Sequence, residues 1–425
     1  MQVVLFIFYL LLCCYLIIII PFFKNSPVST GKIISLFLIK ILAGVAYAFF
    51  YTLPAYSKGA DTWRFYRLSI KETEWLKKEP LAFLKDIFVH GYNTSGNIFT
   101  GENSYWNDLK SNILVKLIAL MNVVTFKSYY TNIILFNFLF LFGLIALLKL
   151  LIPLHPDRKT ILTGAIFILP STLFWCSGIH KDGLILSASG LVIYYFYKGL
   201  RTSFSPKKII LISLCLLLIF FLRNYVALAL LPALLCWWYS EKKPSKSWIV
   251  FSAIYSIGII AFFVLPKIFS FLNFPLFLSQ KQNEFLQLNG TSSVTSTSLQ
   301  PSVSSFLSYL PTAIDIAFLR PYLTETKNLG YIPATIEIYL LLALFIFSLI
   351  FLNRKQLLSP VVLFLLFFSL SIMIISGYTV TFSGAIVRYR SFVLPLLITP
   401  LLCSIDFGFM GNKFNLPLKK SKLSG

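Results

Sequence analysis

The chain has 425 residues, of which 57% are apolar and 12% charged, with 43 Phe and 22 Tyr. Lys and Arg number 37 against 15 Asp and Glu, a net charge of +22. A soluble chain of this length spreads charge over two or three domain surfaces. Here the charges cluster in short loops between apolar runs of near-bilayer length, which excludes a soluble enzyme, a secreted disulfide scaffold and a disordered tail. Nucleic-acid binding is a poor fit for the same reason. The composition is that of an all-α polytopic membrane protein.

About 20 apolar residues cross a bilayer, fewer where a helix end is recessed inside protein. The chain reads as about 11 spans, near 2–22, 33–54, 129–152, 160–175, 184–198, 208–222, 224–239, 248–268, 331–352, 358–376 and 391–405. Residues 2–20 have no preceding Lys or Arg and no following small-residue cleavage site, so they read as a permanent span rather than a signal peptide. Cys13, Cys14, Cys176, Cys215, Cys236 and Cys403 sit in or beside apolar segments without paired spacing and read as core residues.

Basic residues orient the chain. With the N-terminus outside, the inner loops and the basic tail 406–425 hold 18 Lys and Arg against Asp157, Glu241 and Asp406. The short outer turns hold only Lys181, Arg223, Arg388 and Arg390, so every short loop obeys the positive-inside rule. An extra span over 113–126 would reverse every later loop. Lys116 and Lys127 mark that segment as a helix lying at the interface. The C-terminus is therefore expected in the cytoplasm.

Two long polar stretches, 55–128 and 269–330, remain outside. In the first, Leu81, Leu84 and Phe88 recur at helical spacing, with Phe83 and Ile87 beside them, among Lys78, Lys85 and Asp86. Trp63, Trp75 and Trp106 suit a membrane interface. One or two surface-lying helices follow. In the second, 289–305 is Ser/Thr-rich, and 306–321 reads as an amphipathic helix.

The spans flanking Ser177–Gly183, those flanking Arg223–Asn224, and the one after Arg390 have about 15 residues each. At 1.5 Å per residue they reach roughly 22 Å across a core of roughly 30 Å. With their inner ends pinned by Lys and Arg, the deficit falls on the outer side. His180, Lys181, Asp182, Arg223, Arg388 and Arg390 then sit below the outer surface, where ionisable groups face a cavity or a partner. Local bilayer thinning is the alternative. Arg320 could reach the same place from the second loop. The guanidinium fork suits phosphate, so a polyprenyl phosphate or diphosphate carrying sugar is the natural partner. The structural reading of each Arg is a headgroup anchor or an ion pair to Asp182, Asp315 or Glu325.

Among carboxylates, Asp61 in GADTWRFY follows the second span closely and is placed to activate a sugar hydroxyl, with Arg64 and Tyr66 near it. It could equally open a surface helix. Asp182 is the second catalytic candidate, and pairing with Lys181 or Arg223 would explain it as well. Glu337 and Lys40 lie within spans and are one conceivable pair. His90, His155 and His180 are scattered, and the chain has no HExxH, Cys/His cluster, P-loop or dinucleotide fingerprint. No cofactor is expected.

A span, an outer loop opening with Asp61, in-plane helices and many further spans together resemble the GT-C-type glycosyltransferases. The stretches LPSTLFWCSGIHKDGL (169–184), FLRPYLTE (318–325) and IVRYRSFVLPLL (386–397) are similar to those of bacterial envelope-polysaccharide membrane proteins, including O-antigen and capsule polymerases. The resemblance implies a GT-C-like fold, a polyprenyl-linked sugar donor at the outer face, a glycan or lipid acceptor, and Asp61 as the catalytic residue. Glu325 joins Arg64, Tyr66 and the outer basic residues in the implied substrate-binding set. Metal-using GT-C members often carry paired acids, whereas Asp61 has no acidic neighbour before Glu72, leaving a divalent metal as the weaker option. A glycosyltransferase is thus the leading expectation. A polysaccharide polymerase using diphosphate-linked oligosaccharides is next, and a transporter or flippase for lipid-linked sugars is the non-enzymatic alternative.

Overall fold

The computed structural model describes residues 1–57, 60–88, 104–288, 294, 297–325 and 332–406. His90, part of the Ser/Thr-rich stretch (289–293, 295 and 296) and the basic tail from 407 onward lie outside the described residues. Those described form helices and connecting turns, with an isolated antiparallel bridge between Leu352 and Ile405.

Among the described residues, seven helices are long and apolar enough to cross a membrane, or eight if Ser383–Ser391 and Leu394–Ser404, bent by 65°, count as one span. The other segments read as spans are shorter or broken. Pro206–Leu222 and Asn224–Ser240 have 17 residues each. The segment 160–175 divides into Lys159–Phe167 and Pro170–Trp175. Pro170 has no N–H to donate and disfavours helical geometry at Leu169, which is extended (φ −53°, ψ 125°).

Burial sorts the helices into centre and periphery. In Tyr129–Leu154, 72% of the most apolar window is buried, against 6% in Pro244–Ile268. The second is apolar all round and leaves Ile257, Ile259 and Ile260 exposed, as a helix against lipid does. The central helix lies tightly on Lys181–Arg201. A Cβ on Gly143 would stand 2.1 Å from the Ser187 carbonyl oxygen, and one on Gly190 2.3 Å from that of Gly143. Ser187 Oγ uses the close approach, accepting from Gly143 N at 3.2 Å and donating to Leu139 O at 3.1 Å. Small residues of this kind let membrane helices meet backbone to backbone.

The stretch after the second span folds into Asp61–Lys78, Pro80–Lys85 and Tyr105–Thr125. Lys116 joins them, pairing with Glu72 (2.9 Å) and Asp86 (3.0 Å) over the rings of Phe83 and Trp75. Phe83 is buried, while Leu81, Leu84 and Phe88 point outward. The amphipathic helix expected over 306–321 is present as Val303–Ile314, continued by a wider π turn, Asp315–Leu319.

Candidate functional site

Three interruptions in apolar helices meet at one end of the bundle. The first is the turn 176–180, whose irregular backbone is buried and therefore needs partners from the protein. Lys40, from the middle of Thr30–Phe50, donates to Cys176 O and Ser177 Oγ, both at 2.8 Å. Asn137 Nδ2 donates to Ser177 O at 2.8 Å, and Thr62 Oγ1 to Ile179 O at 3.2 Å. The expected pairing of Lys40 with Glu337 does not form. Lys40 is used by this turn, and Glu337 accepts from the backbone and hydroxyl of Ser171.

The second interruption is Arg223, where an extended residue (φ −151°, ψ 88°) separates two helices. The third is the bend after Ser383–Ser391, the helix that carries Arg388. All three close on Asp182, which is fully buried. Arg223 Nη2 bonds Asp182 Oδ1, Arg388 Nε lies 3.2 Å from Oδ2, and His180 Nδ1 lies 2.7 Å from Oδ2. Arg388 continues outward, with Nη2 against His180 Nε2 and Nη1 3.3 Å from Asp61 Oδ2. An arginine only donates, so His180 Nε2 accepts and the imidazole proton sits on Nδ1, facing Asp182.

Two carboxylates and two guanidiniums thus neutralise one another around a histidine. Asp61, at the rim, keeps 39% of its side chain exposed. Burial opposes its charged form, but the Arg388 guanidinium, as a charge and as a hydrogen-bond donor, leads the interactions that outweigh it, and the carboxyl lies below the usual carboxylate range. The helix Asp61–Lys78 begins at this residue, yet its N-cap is Ala60 and makes no side-chain cap.

The other expected substrate-binding residues lie elsewhere. Arg64 is exposed, 5.7 Å from the ring centre of Phe65. Tyr66 donates to Lys127 O at 2.5 Å. Arg320 is tied to Asp315 (2.7 Å) and to Glu325, which places both Arg320 and Glu325 in a second ionic group. Arg390 is fully buried and donates from Nη1 to Arg320 O at 2.6 Å. Lys181 pairs with neither Asp182 nor any other acid among the described residues.

Two cavities flank the Asp182 group. The basic one, about 220 Å³, is lined by Lys110, Lys181, Arg223, Lys281, Tyr225 and Tyr389 with an aromatic flank. The other, about 500 Å³, is lined by Phe50, Tyr51, Tyr56, Phe174 and Trp175. The Arg388 guanidinium lies 5.7 Å from the ring centre of Trp175, one of the residues lining this cavity. Sequence reasoning missed Lys110 and Lys281, single lysines in the polar parts of the two long outer stretches that no motif sets apart. It also missed the aromatic cavity, whose members lie too far apart in sequence to form a motif.

No protein-family model matches the chain, and comparison with curated proteins and with solved structures finds no match.

Proposed function

We propose that this is a multi-pass bacterial plasma-membrane glycosyltransferase of GT-C type, with eleven spans, the N-terminus outside and the C-terminus in the cytoplasm. It transfers sugar from a polyprenyl-phosphate or diphosphate donor to a glycan or lipid acceptor at the outer face, in assembly of envelope polysaccharide. The spans are the seven long helices, the bent pair, the split segment before Cys176 and the two 17-residue helices.

One observation carries the reading. A single ionised carboxylate, Asp61, stands accessible at the edge of a buried, charge-balanced group made by Asp182, His180, Arg223 and Arg388. Asp182 is enclosed and engaged on both oxygens, so it organises the site, and Asp61 is the residue left to accept a proton. In the reaction the acceptor hydroxyl oxygen bonds to the anomeric carbon while its proton passes to Asp61. The bond from that carbon to the phosphate oxygen breaks, and the lipid phosphate leaves with the electron pair. The aromatic cavity beside Arg388 offers flat apolar surfaces on which an acceptor sugar can stack.

The test is transfer from a synthetic polyprenyl-linked donor by the protein in nanodiscs. Asp61→Asn is expected to lower the rate by roughly 10²–10⁴-fold, the scale of a lost general base. Full activity in that variant would sink the assignment. A polysaccharide polymerase is the second reading, favoured by the basic cavity. It predicts that transfer of diphosphate-linked oligosaccharides depends on the cations lining that cavity and tolerates Asp61→Asn.

A further inference from the structure

Three of the four arginines expected to hold phosphate are occupied by acids, and the fourth, Arg390, is fully buried with Nη1 on Arg320 O. Arg223 and Arg388 are engaged by Asp182, and Arg320 by Asp315 and Glu325. Lysines line the basic cavity beside them. Lys181 reaches it from the start of Lys181–Arg201, Lys110 from Tyr105–Thr125 and Lys281 from Phe274–Gln287. Lys281 is paired with Glu284, and Lys110 donates to the amide oxygen of Asn107. Lys181 has no hydrogen bond or ion pair among the described residues; Lys110, Arg223 and Arg388 act against its charge and only Asp182, already engaged by both arginines, acts for it.

Cations gathered this closely in a half-buried cavity repel one another unless an anion joins them. The repulsion shows on Lys110, where burial, then Lys281 and Arg223, push the amine down to about 7. The rest of the lining is apolar, with Phe274, Phe277 and Leu228, and Leu228 is 49% exposed on the outside of the bundle. A ligand that fits has a compact polyanionic head and a hydrocarbon chain leaving sideways.

We propose that this cavity binds the phosphate or diphosphate head of an isoprenoid lipid, with Lys181 as its central cation and Lys110 and Lys281 closing on either side. The proposal rests on the reading of the chain as an enzyme of lipid-linked sugars. It moves the phosphate away from the arginines, of which Arg388 then serves to hold Asp61 and His180, and Arg223 to hold Asp182.

Binding of farnesyl diphosphate to the full-length protein in phosphatidylcholine nanodiscs tests it. Lys181→Gln and Lys110→Gln are each expected to weaken binding about tenfold or more, the worth of one charged hydrogen bond. Lys181→Arg should restore most of it, while Lys242→Gln, at a distant turn, should change nothing. Farnesol is expected not to compete, and inorganic pyrophosphate to compete only weakly. Unchanged affinity in a Lys110→Gln/Lys181→Gln protein with a wild-type melting temperature would overturn the site. Equal competition by farnesol would overturn its phosphate chemistry. Equal competition by pyrophosphate, or by nanodiscs rich in phosphatidylglycerol, would overturn the isoprenoid assignment. Binding is read without turnover, so the site can stand if Asp61→Asn leaves transfer intact, and that reading can stand if Lys181 proves irrelevant.

Discussion

Arg388 donates from Nε to Asp182 at 3.2 Å, across 206 residues of chain. The contact joins the helix before the last bend to the start of Lys181–Arg201, and Arg223 closes on the same carboxylate. Asp182→Asn therefore leaves two guanidiniums facing one neutral amide in a buried setting. Removing one partner of a buried ion pair costs about 3–5 kcal/mol, so this variant is expected to melt well below wild type in detergent. Asp182→Asn/Arg223→Gln should recover part of the loss, and the double-mutant cycle measures the coupling.

Arg388 uses three nitrogens on three partners, Asp182, His180 and Asp61. A lysine ammonium is a point charge without that planar fork. Arg388→Lys is expected to lower transfer activity about as far as Arg388→Ala. Near-wild-type turnover in Arg388→Lys would show that charge alone suffices there.

The pH profile should report Asp61. Its carboxyl lies below the usual range, so the base form persists down to and below about pH 3.9, the ordinary aspartate value. The acid limb of kcat/KM assigned to it is expected under that pH. Arg388→Gln removes the leading electrostatic cause of the lowering and should move the limb upward. The stability linked to this group has the same sign, present above the ordinary carboxylate value and lost as pH falls through the folded one.

Lys40 supports the turn that carries His180. In Lys40→Met the Cys176 carbonyl and Ser177 hydroxyl lose their donor, at about 1–3 kcal/mol for each buried group left unpaired. The expected outcome is a lower melting temperature together with reduced transfer, because the turn positions His180 and Asp182. Wild-type activity with lowered stability would separate the turn's structural role from the site.

Gly143→Ala tests the helix contact beneath. The added carbon meets the Ser187 backbone at 2.1 Å, and the helices must part. Overpacking costs about 1–3 kcal/mol, and thermal unfolding in detergent should show it. Gly164→Ala, where no atom stands within 4 Å of the new carbon, is the control.

Much of the architecture was legible without coordinates. Apolar run length predicts the long membrane-type helices, and the ionisable residues at Asp182, Arg223 and Arg388 mark where those helices are interrupted. Both follow from local physics, since a charge or a proline within an apolar run is costly unless the backbone and its surroundings adapt. Asp61 was conspicuous for the same reason, as a carboxylate just beyond a span. Pairing was legible only in part: Asp182, Asp315 and Glu325 are the acids expected for the arginines and do hold Arg223, Arg320 and Arg388, but which joins which was open. Lys40 and Glu337 were a conceivable pair on paper, yet Lys40 is taken by a buried turn and Glu337 by the first residues of Pro170–Trp175, contacts that only the packed helices create.

The sequence by itself determined that this is a helical chain with membrane-length apolar segments, and that charged residues sit at their breaks. It could not say which of those charges remain free, because a guanidinium's partner is set by which helices touch. The tertiary structure decided that Arg223, Arg320 and Arg388 are neutralised by carboxylates, that Asp61 keeps an exposed face, and that Lys181 stands among other cations without an ion pair of its own among the described residues. Electrostatic energy depends on distance in space, and every pairing that defines this site except the one between His180 and Asp182 spans at least 41 residues of chain.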